Sequence, residues 1–328
     1  MRSGLPACLA TASGTTEWAA WCGLAAVVSA VLTYLIARAA TAVGVLDRPN
    51  ARSSHSRPTP RGGGLAIVAV LLLAIAVLAI RGVAGPENGW WAVAGLLVVA
   101  VVSGLDDVAS VPAPARLAAQ MLAAVMATMA AGPVRSVELG WFGSWDVGVA
   151  GWPLTVLWIV GLTNAFNFMD GIDGIAGLTA VVVLGVLGYG AWLAEDTLAA
   201  ALAAAGASAA AGFLVWNWQP ARIFMGDVGS ASLGYTIAVL PLVAGEPQRR
   251  WLLPLTAVAM TPFMLDTGLT LLRRLRNGEN ILEAHRTHFY QRRVIAGWSH
   301  STVAVLYGVA SLIAGVAALA AFVPRLPA

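Results

Sequence analysis

The chain contains no lysine: all 19 of its basic side chains are arginines. That removes every chemistry built on a lysine amine, including the phosphate-binding lysine of P-loop nucleotidases, Schiff bases and pyridoxal-phosphate catalysis. Cysteine is nearly absent too. Cys8 and Cys22 show no CxxC pattern and no spacing that would pair them, so disulfides and thiolate metal sites drop out. No HExxH occurs, and the two neighbouring histidines of the C-terminal third, lacking a thiolate, make a weak zinc signal. Charge itself is scarce, at 11% of 328 residues against 59% hydrophobic residues. Soluble domains carry about a quarter charged residues and interrupt their apolar runs well before the roughly 20 residues that a bilayer requires.

What is present is a succession of apolar runs at about 18–42, 63–80, 90–103, 117–131, 152–168, 175–194, 198–216, 228–244, 251–272 and 301–323. They predict an all-α polytopic membrane protein with about ten transmembrane helices. Residues 1–17 read as an N-terminal extension and 18–328 as one transmembrane domain. The runs at 90–103 and 117–131 are short, so they must borrow loop residues such as Leu105 or thin the bilayer. The alanine-rich run from Leu198 to Ser208 allows close helix–helix approach, a structural role. Alternation sorts the loops into two sets, and the loops after odd-numbered spans hold thirteen of the nineteen arginines. The positive-inside rule makes that face cytoplasmic. All four histidines fall on it. A transporter would bury its decisive polar groups near mid-membrane, so a one-sided cluster favours an interfacial enzyme over an ion-coupled transporter.

The polar stretch from Asn164 to Gly177 lies between two apolar runs and sets Asn164, Asn167, Asp170 and Asp173 at steps of three. On a straight helix each step turns by about −60°, so Asn164 and Asp173 would face opposite sides. Gly171 and Gly174 permit a break. Asn167 then ends a helix while Asp170 and Asp173 form a turn folded back over it, either as an anionic cup or as an ordinary capped turn. The first cytoplasmic loop, Asp47 to Gly64, combines prolines, a triple glycine, Arg48, Arg52, His55, Arg57 and Arg61. Guanidinium and backbone N–H groups of this kind suit a phosphate, and anionic lipid contact is the plainer alternative. Two further loops bring Asp106-Asp107 and Phe224-Met-Gly-Asp227-Val-Gly-Ser. Five carboxylates on one face repel one another until a hard cation joins them, and Mg²⁺ is customarily held by one or two carboxylates with substrate phosphates and water. Each aspartate taken singly also fits a helix cap.

Asp266 lies inside the ninth run, seven residues before Arg273. An ionisable group at that depth is either functional or paired structurally with an arginine. The last cytoplasmic loop carries His285-Arg286-Thr287-His288-Phe-Tyr290-Gln-Arg292-Arg293. Histidines there could bind phosphate or move a proton, whereas an amphipathic surface helix would need them only as polar residues.

Taken in order from about residue 44 to 300, these motifs resemble the polyprenyl-phosphate N-acetylhexosamine-1-phosphate transferases, glycosyltransferase family 4. The resemblance implies an enzyme that moves a sugar 1-phosphate from a UDP-sugar to undecaprenyl phosphate with release of UMP, using Mg²⁺ or Mn²⁺ in its place, in the cytoplasmic membrane with the site toward the cytoplasm. It makes Asp227 a metal ligand and places Asp106 and Asp107 at the metal and the attacking lipid phosphate. Asn167 and Asp170 would line the diphosphate site, Asp173 contact the uracil, Phe224 stack on it, and His288 act in catalysis beside His285 and Arg286. Nucleotide contacts made elsewhere by lysine would fall to Arg52, His55, Arg57 or Arg61. The first loop and the Asp266 motif resemble the branch that starts O-antigen, common antigen or teichoic acid more than the lipid I branch. Many bacterial members have a denser histidine cluster where Tyr290 and Gln291 stand here. A homodimer is compatible with this reading, and no nucleic acid partner is expected. The CDP-alcohol phosphatidyltransferase pattern cannot be traced after Asp170.

Overall fold

All ten apolar runs of the sequence are helical in the computed structural model, the ninth broken into two helices; the structure describes residues 12–49, 57–83, 89–138, 143–280 and 285–322. Helix α1 (Ala12–Val43) leads into a two-residue ladder, β1 (Leu46–Asp47) against β2 (Thr59–Pro60), and then α2 (Gly64–Ile80). Next come α3 (Gly89–Ala109) and α4 (Ala113–Ala131), a small hairpin of β3 (Ser136–Glu138) and β4 (Ser144–Asp146), and α5 (Gly151–Phe168). They are followed by α6 (Ile175–Leu193), α7 (Thr197–Asn217), α8 (Asp227–Val243), α9 (Glu246–Ala259), α10 (Thr261–Arg276), the short α11 (Phe289–Ile295) and α12 (His300–Phe322).

By length and composition seven helices are able to cross a membrane, or eight when α9 and α10 count as one broken span bent by 62°. The count falls below the ten expected because α2 and α8 have only 17 residues each. The bend has a local cause: Pro262 opens α10 and cannot donate to the helix ladder of α9. Shortness thus falls elsewhere than expected. α3 does take in Leu105, together with Asp106 and Asp107, and reaches 21 residues.

The sequence order places α8 in the middle, packed by α2, α3, α4, α5, α6, α7 and α9. Nearly all of its side chains from Val228 to Leu242 are buried. Lipid gives apolar helices no hydrophobic reason to associate, so close approach through small residues has to supply the attraction. α2 and α8 cross where Gly64 meets Gly229, and a methyl group added at Gly64 would collide with the Gly229 backbone. Outward faces remain apolar, with Leu24, Val27 and Val31 of α1 and Val309, Ile313 and Val316 of α12 all exposed.

Candidate active site

Backbone hydrogen bonds knit the loops at one end of the bundle before any side chain is considered. Phe224 N–H donates to Pro60 O at 2.8 Å, Gly63 N–H to Phe224 O at 3.0 Å and Gly64 N–H to Met225 O at 2.8 Å. The triple-glycine loop is therefore zipped onto the segment that starts α8. Gly226, with φ of +76°, turns that segment into the helix, and a Cβ there would sit 2.5 Å from an Asp107 oxygen. Only glycine fits both demands.

Asp107 straps the start of α8 by accepting the Asp227 N–H at 2.8 Å and the Val228 N–H at 3.0 Å. It is a helix cap donated by another helix. Asp106, one residue earlier, accepts from Val111 N–H at 2.6 Å and from Arg116 Nη1 at 2.7 Å. The same Nη1 lies 3.1 Å from Asp227 Oδ2, and the Asp106 and Asp227 carboxyls are within hydrogen-bonding reach of each other. Arg61 completes the group, with Nη2 at 2.9 Å from Asp47 and Nη1 at 3.8 Å from Asp107 Oδ1. Burial would lower the Arg61 pKa, but Asp47, Asp107, Asp227 and Asp170 together raise it. Its cation is firm. Asp170 stands in the turn after α5, where burial, and then the charge of Asp227, push its pKa up to about 7 against a partial offset from Arg61. Among the described residues, the Nε atoms of Arg61 and Arg116 are buried without a hydrogen-bond acceptor.

Among the described residues no three His, Cys, Asp or Glu side chains form a ready-made metal cage. The donor chemistry nevertheless fits Mg²⁺. Asp106 and Asp227 crowd one cation, as two carboxylates awaiting a divalent ion would, and the two orphaned guanidinium N–H groups suit the phosphate oxygens that complete its shell.

The turn after α5 has the predicted form. The helix ends at Phe168, half-buried Asn167 accepts from Asp170 N–H at 3.1 Å, and Gly174 begins α6 with φ of +79°. Asn164 and Asp173 do face apart. Asn164 Nδ2 donates to Gln120 Oε1 at 2.5 Å, which joins α5 to α4. Asp173 is buried, accepting from Ala221 N–H at 3.0 Å and lying 3.3 Å from His300 Nδ1 at the start of α12.

A second polar centre forms around Asp266. Its Oδ1 accepts from Phe289 N–H at 2.8 Å and sits 3.3 Å from His288 Nδ1, and its Oδ2 accepts from Tyr290 N–H at 3.0 Å and Tyr307 O–H at 2.5 Å. The partner of Asp266 is thus the N-terminus of α11 with a histidine, and among the described residues no arginine bonds it. Arg273 instead donates to Thr287 O at 2.6 Å and fastens the loop that leads there. His288 is buried, stacked between His285 at 4.9 Å and Tyr290 at 5.8 Å. Burial, followed by His288, lowers the His285 pKa to about 4. Arg286 is half-buried and engaged within the protein. Tyr290 links the two centres: its O–H donates to Phe168 O at 3.1 Å and abuts Gly171, and burial with the nearby Asp170 charge raises its pKa well above the usual value.

The structure therefore brings together Arg61, Asp106, Asp107, Asp170 and Asp227, whereas Asp173, the fifth carboxylate expected with them, is held by Ala221 and His300. Phe224 lies beside them, while His285 and His288 belong to the neighbouring centre. Arg52 and His55 lie outside the described residues. Sequence reasoning missed the site role of Arg116, along with Tyr290, Tyr307 and His300. Arg116 follows Asp106 by ten residues across a helix–helix turn, and only the packing of α4 reveals it.

The model of glycosyl transferase family 4 matches residues 89–245, the span that holds Asp106, Asp107, Asn167, Asp170 and Asp227. The chain is 29% identical over 285 residues to a Bacillus subtilis protein named as a probable undecaprenyl-phosphate N-acetylglucosaminyl 1-phosphate transferase, covering 84% of this chain and 77% of that one. The undecaprenyl-phosphate alpha-N-acetylglucosaminyl 1-phosphate transferase of Escherichia coli K12 is 27% identical over 294 residues, 87% of this chain and 79% of its own length. A phospho-N-acetylmuramoyl-pentapeptide-transferase from Heliobacterium modesticaldum reaches 32% over 169 residues, about half of each chain.

Proposed function

Because the chain belongs to glycosyl transferase family 4, we propose that it transfers a sugar 1-phosphate from a UDP-N-acetylhexosamine, or a deoxy derivative, to undecaprenyl phosphate and releases UMP. This would be the first membrane step of a cell-envelope polysaccharide, performed in the cytoplasmic membrane with the site facing the cytoplasm. The observation that carries the reading is the cluster of Asp106, Asp107, Asp170 and Asp227 interleaved with Arg61 and Arg116, two of whose buried N–H groups lack an acceptor among the described residues. Such a cluster suits a diphosphate together with its cation.

In the reaction an oxygen of the lipid phosphate attacks the sugar-bearing phosphorus of the donor, and the bond from that phosphorus to the bridging oxygen breaks. UMP leaves with the bridging oxygen. Asp227 and Asp106 would hold Mg²⁺, which when bound supplies charge neutralisation on the diphosphate oxygens. Asp107 fixes where Asp227 stands. Arg61 and Arg116 offer N–H groups to equatorial oxygens, where charge develops as the phosphoryl group moves. Asp170, whose pKa stands near 7, is placed to hold or yield a proton at the attacking phosphate.

Relatives that cover more than four fifths of the chain carry N-acetylglucosamine in their names, while the muramoyl-type relative covers half. UDP-N-acetylglucosamine is accordingly the first donor to test. Purified protein in detergent, given undecaprenyl phosphate, Mg²⁺ and a panel of UDP-sugars, is expected to release UMP with one donor and to stop on addition of EDTA. Folded protein that releases none with any donor would overturn the reading.

A further inference from the structure

The alanine-rich helix α7 packs tightly along only part of its length. Toward the site end it is fastened to α1: Ser29 Oγ donates to Ala209 O at 2.6 Å, Trp216 Nε1 donates to Ala30 O at 2.9 Å, and a side chain at Gly212 would strike the α1 backbone. Toward the opposite end Ala201, Ala204 and Ala205 offer only methyl groups to α1 and α2. A cavity of about 580 Å³ opens there, walled by Val28, Val70, Leu73 and Val77. The space is half open to the outside of the bundle, so what surrounds the helices there can enter it. Lipid chains are the available filling.

The mouth is polar in a specific way. Glu17 and Arg81 both line it, one anion and one cation, and the Arg81 guanidinium lies 5.0 Å from the centre of the Trp21 ring. Trp18, also in the wall, has its indole N–H shielded and without an acceptor among the described residues. Tryptophan and arginine at a helix end are the usual anchors of a membrane–water boundary. We infer that this cavity is a binding site for a glycerophospholipid whose headgroup carries both a phosphate and a primary ammonium, of the phosphatidylethanolamine class. Arg81 and the Trp18 N–H take the phosphate, Glu17 takes the ammonium, and one acyl chain lies over the alanines of α7. A phosphatidylglycerol offers Glu17 only neutral hydroxyls, and a phosphatidylcholine a cation without an N–H.

The full-length chain, released for native mass spectrometry from nanodiscs with equal parts phosphatidylethanolamine, phosphatidylglycerol and phosphatidylcholine, is expected to retain one phosphatidylethanolamine. Arg81→Gln lowers retention by roughly tenfold, the loss of a charge-assisted hydrogen bond. Glu17→Gln erases the preference over phosphatidylglycerol, and Ala204→Leu lowers retention of every lipid. A second readout needs no altered cavity. Cys22 lines the same wall, so in a Cys8→Ala background its alkylation by N-ethylmaleimide slows when phosphatidylethanolamine is added back to delipidated protein and is unchanged by phosphatidylglycerol. Equal retention of the three lipids, undiminished retention in Ala204→Leu at an unchanged denaturation temperature, or alkylation indifferent to the lipid would each overturn the site. So would a dimer that Ala204→Leu splits, which would give the face to a second copy of the chain.

Discussion

The two groups of carboxylates at the site end of the bundle are built oppositely. Asp266 has five hydrogen-bonding neighbours, all supplied by the protein, and Asp173 is closed in by Ala221 and His300. Asp106 and Asp227 share one nitrogen of Arg116, and next to them two arginine N–H groups have no acceptor among the described residues. A buried polar group that is fully paired holds structure together, whereas one left short is an explanation waiting for a ligand. Residue type does not make this distinction, since all four are aspartates, three of them in turns or at helix ends and Asp266 within α10. Their partners do.

The contrast is broken most directly at Asp227. Asp227→Asn is expected to cut UMP release by at least about 10³-fold while leaving the denaturation temperature close to that of the parent; unchanged turnover would end the assignment. The mirror experiment is Asp266→Ala, which orphans the start of α11, His288 and Tyr307. It should cost about 3 kcal/mol of stability or more, read as a lowered denaturation temperature, and a variant as stable as the parent would refute the anchoring role. Gly226→Ala combines a positive φ with a clash against Asp107, so a loss of about 2 kcal/mol is expected together with weaker activity, because Asp227 moves with its strap.

A gentler test uses pH. Asp170 has a folded pKa raised to about 7 from an unfolded value of 3.8, so between those values the native state binds more protons than the unfolded one. Stability without metal therefore falls as pH rises from about 4 through 7. Mg²⁺ should restore it above pH 7 and do little at pH 5, as followed by thermal denaturation with and without EDTA; equal protection at both values would detach Asp170 from the cation site. The smallest effect is assigned to His285→Gln. His285 is already neutral with a pKa near 4, so turnover should change by no more than a few-fold and the acid limb of the pH profile should stay in place.

Much of this arrangement was readable from residue spacing. The step of three from Asn164 to Asp173 implied that one straight helix could not converge them, and the turn after Phe168 with Gly174 at positive φ answers that constraint. The paired Asp106-Asp107 motif pointed to the right end of α3, but its division of labour, one residue on Arg116 and the other on the α8 backbone, depends on how α4 and α8 approach. Asp266 was visible as a charge out of place. Its partners were not, because His288, Tyr290 and Tyr307 reach it only through the packing of α10, α11 and α12. The bounds of α2 and α8 were legible to within a residue, and what hydropathy could not show was that 17 residues fall short of a full crossing and that the ninth run breaks at Pro262.

Those two short helices have a consequence of their own. At 17 residues each spans about 25 Å, some 5 Å less than the hydrocarbon thickness, and both begin where Gly64 meets Gly229, one turn from Asp227. Under the reaction proposed above, a shortfall taken up at this end sets the site below the level reached by the longer neighbours. A lipid phosphate held in the headgroup layer would then meet its donor without climbing out of the bilayer.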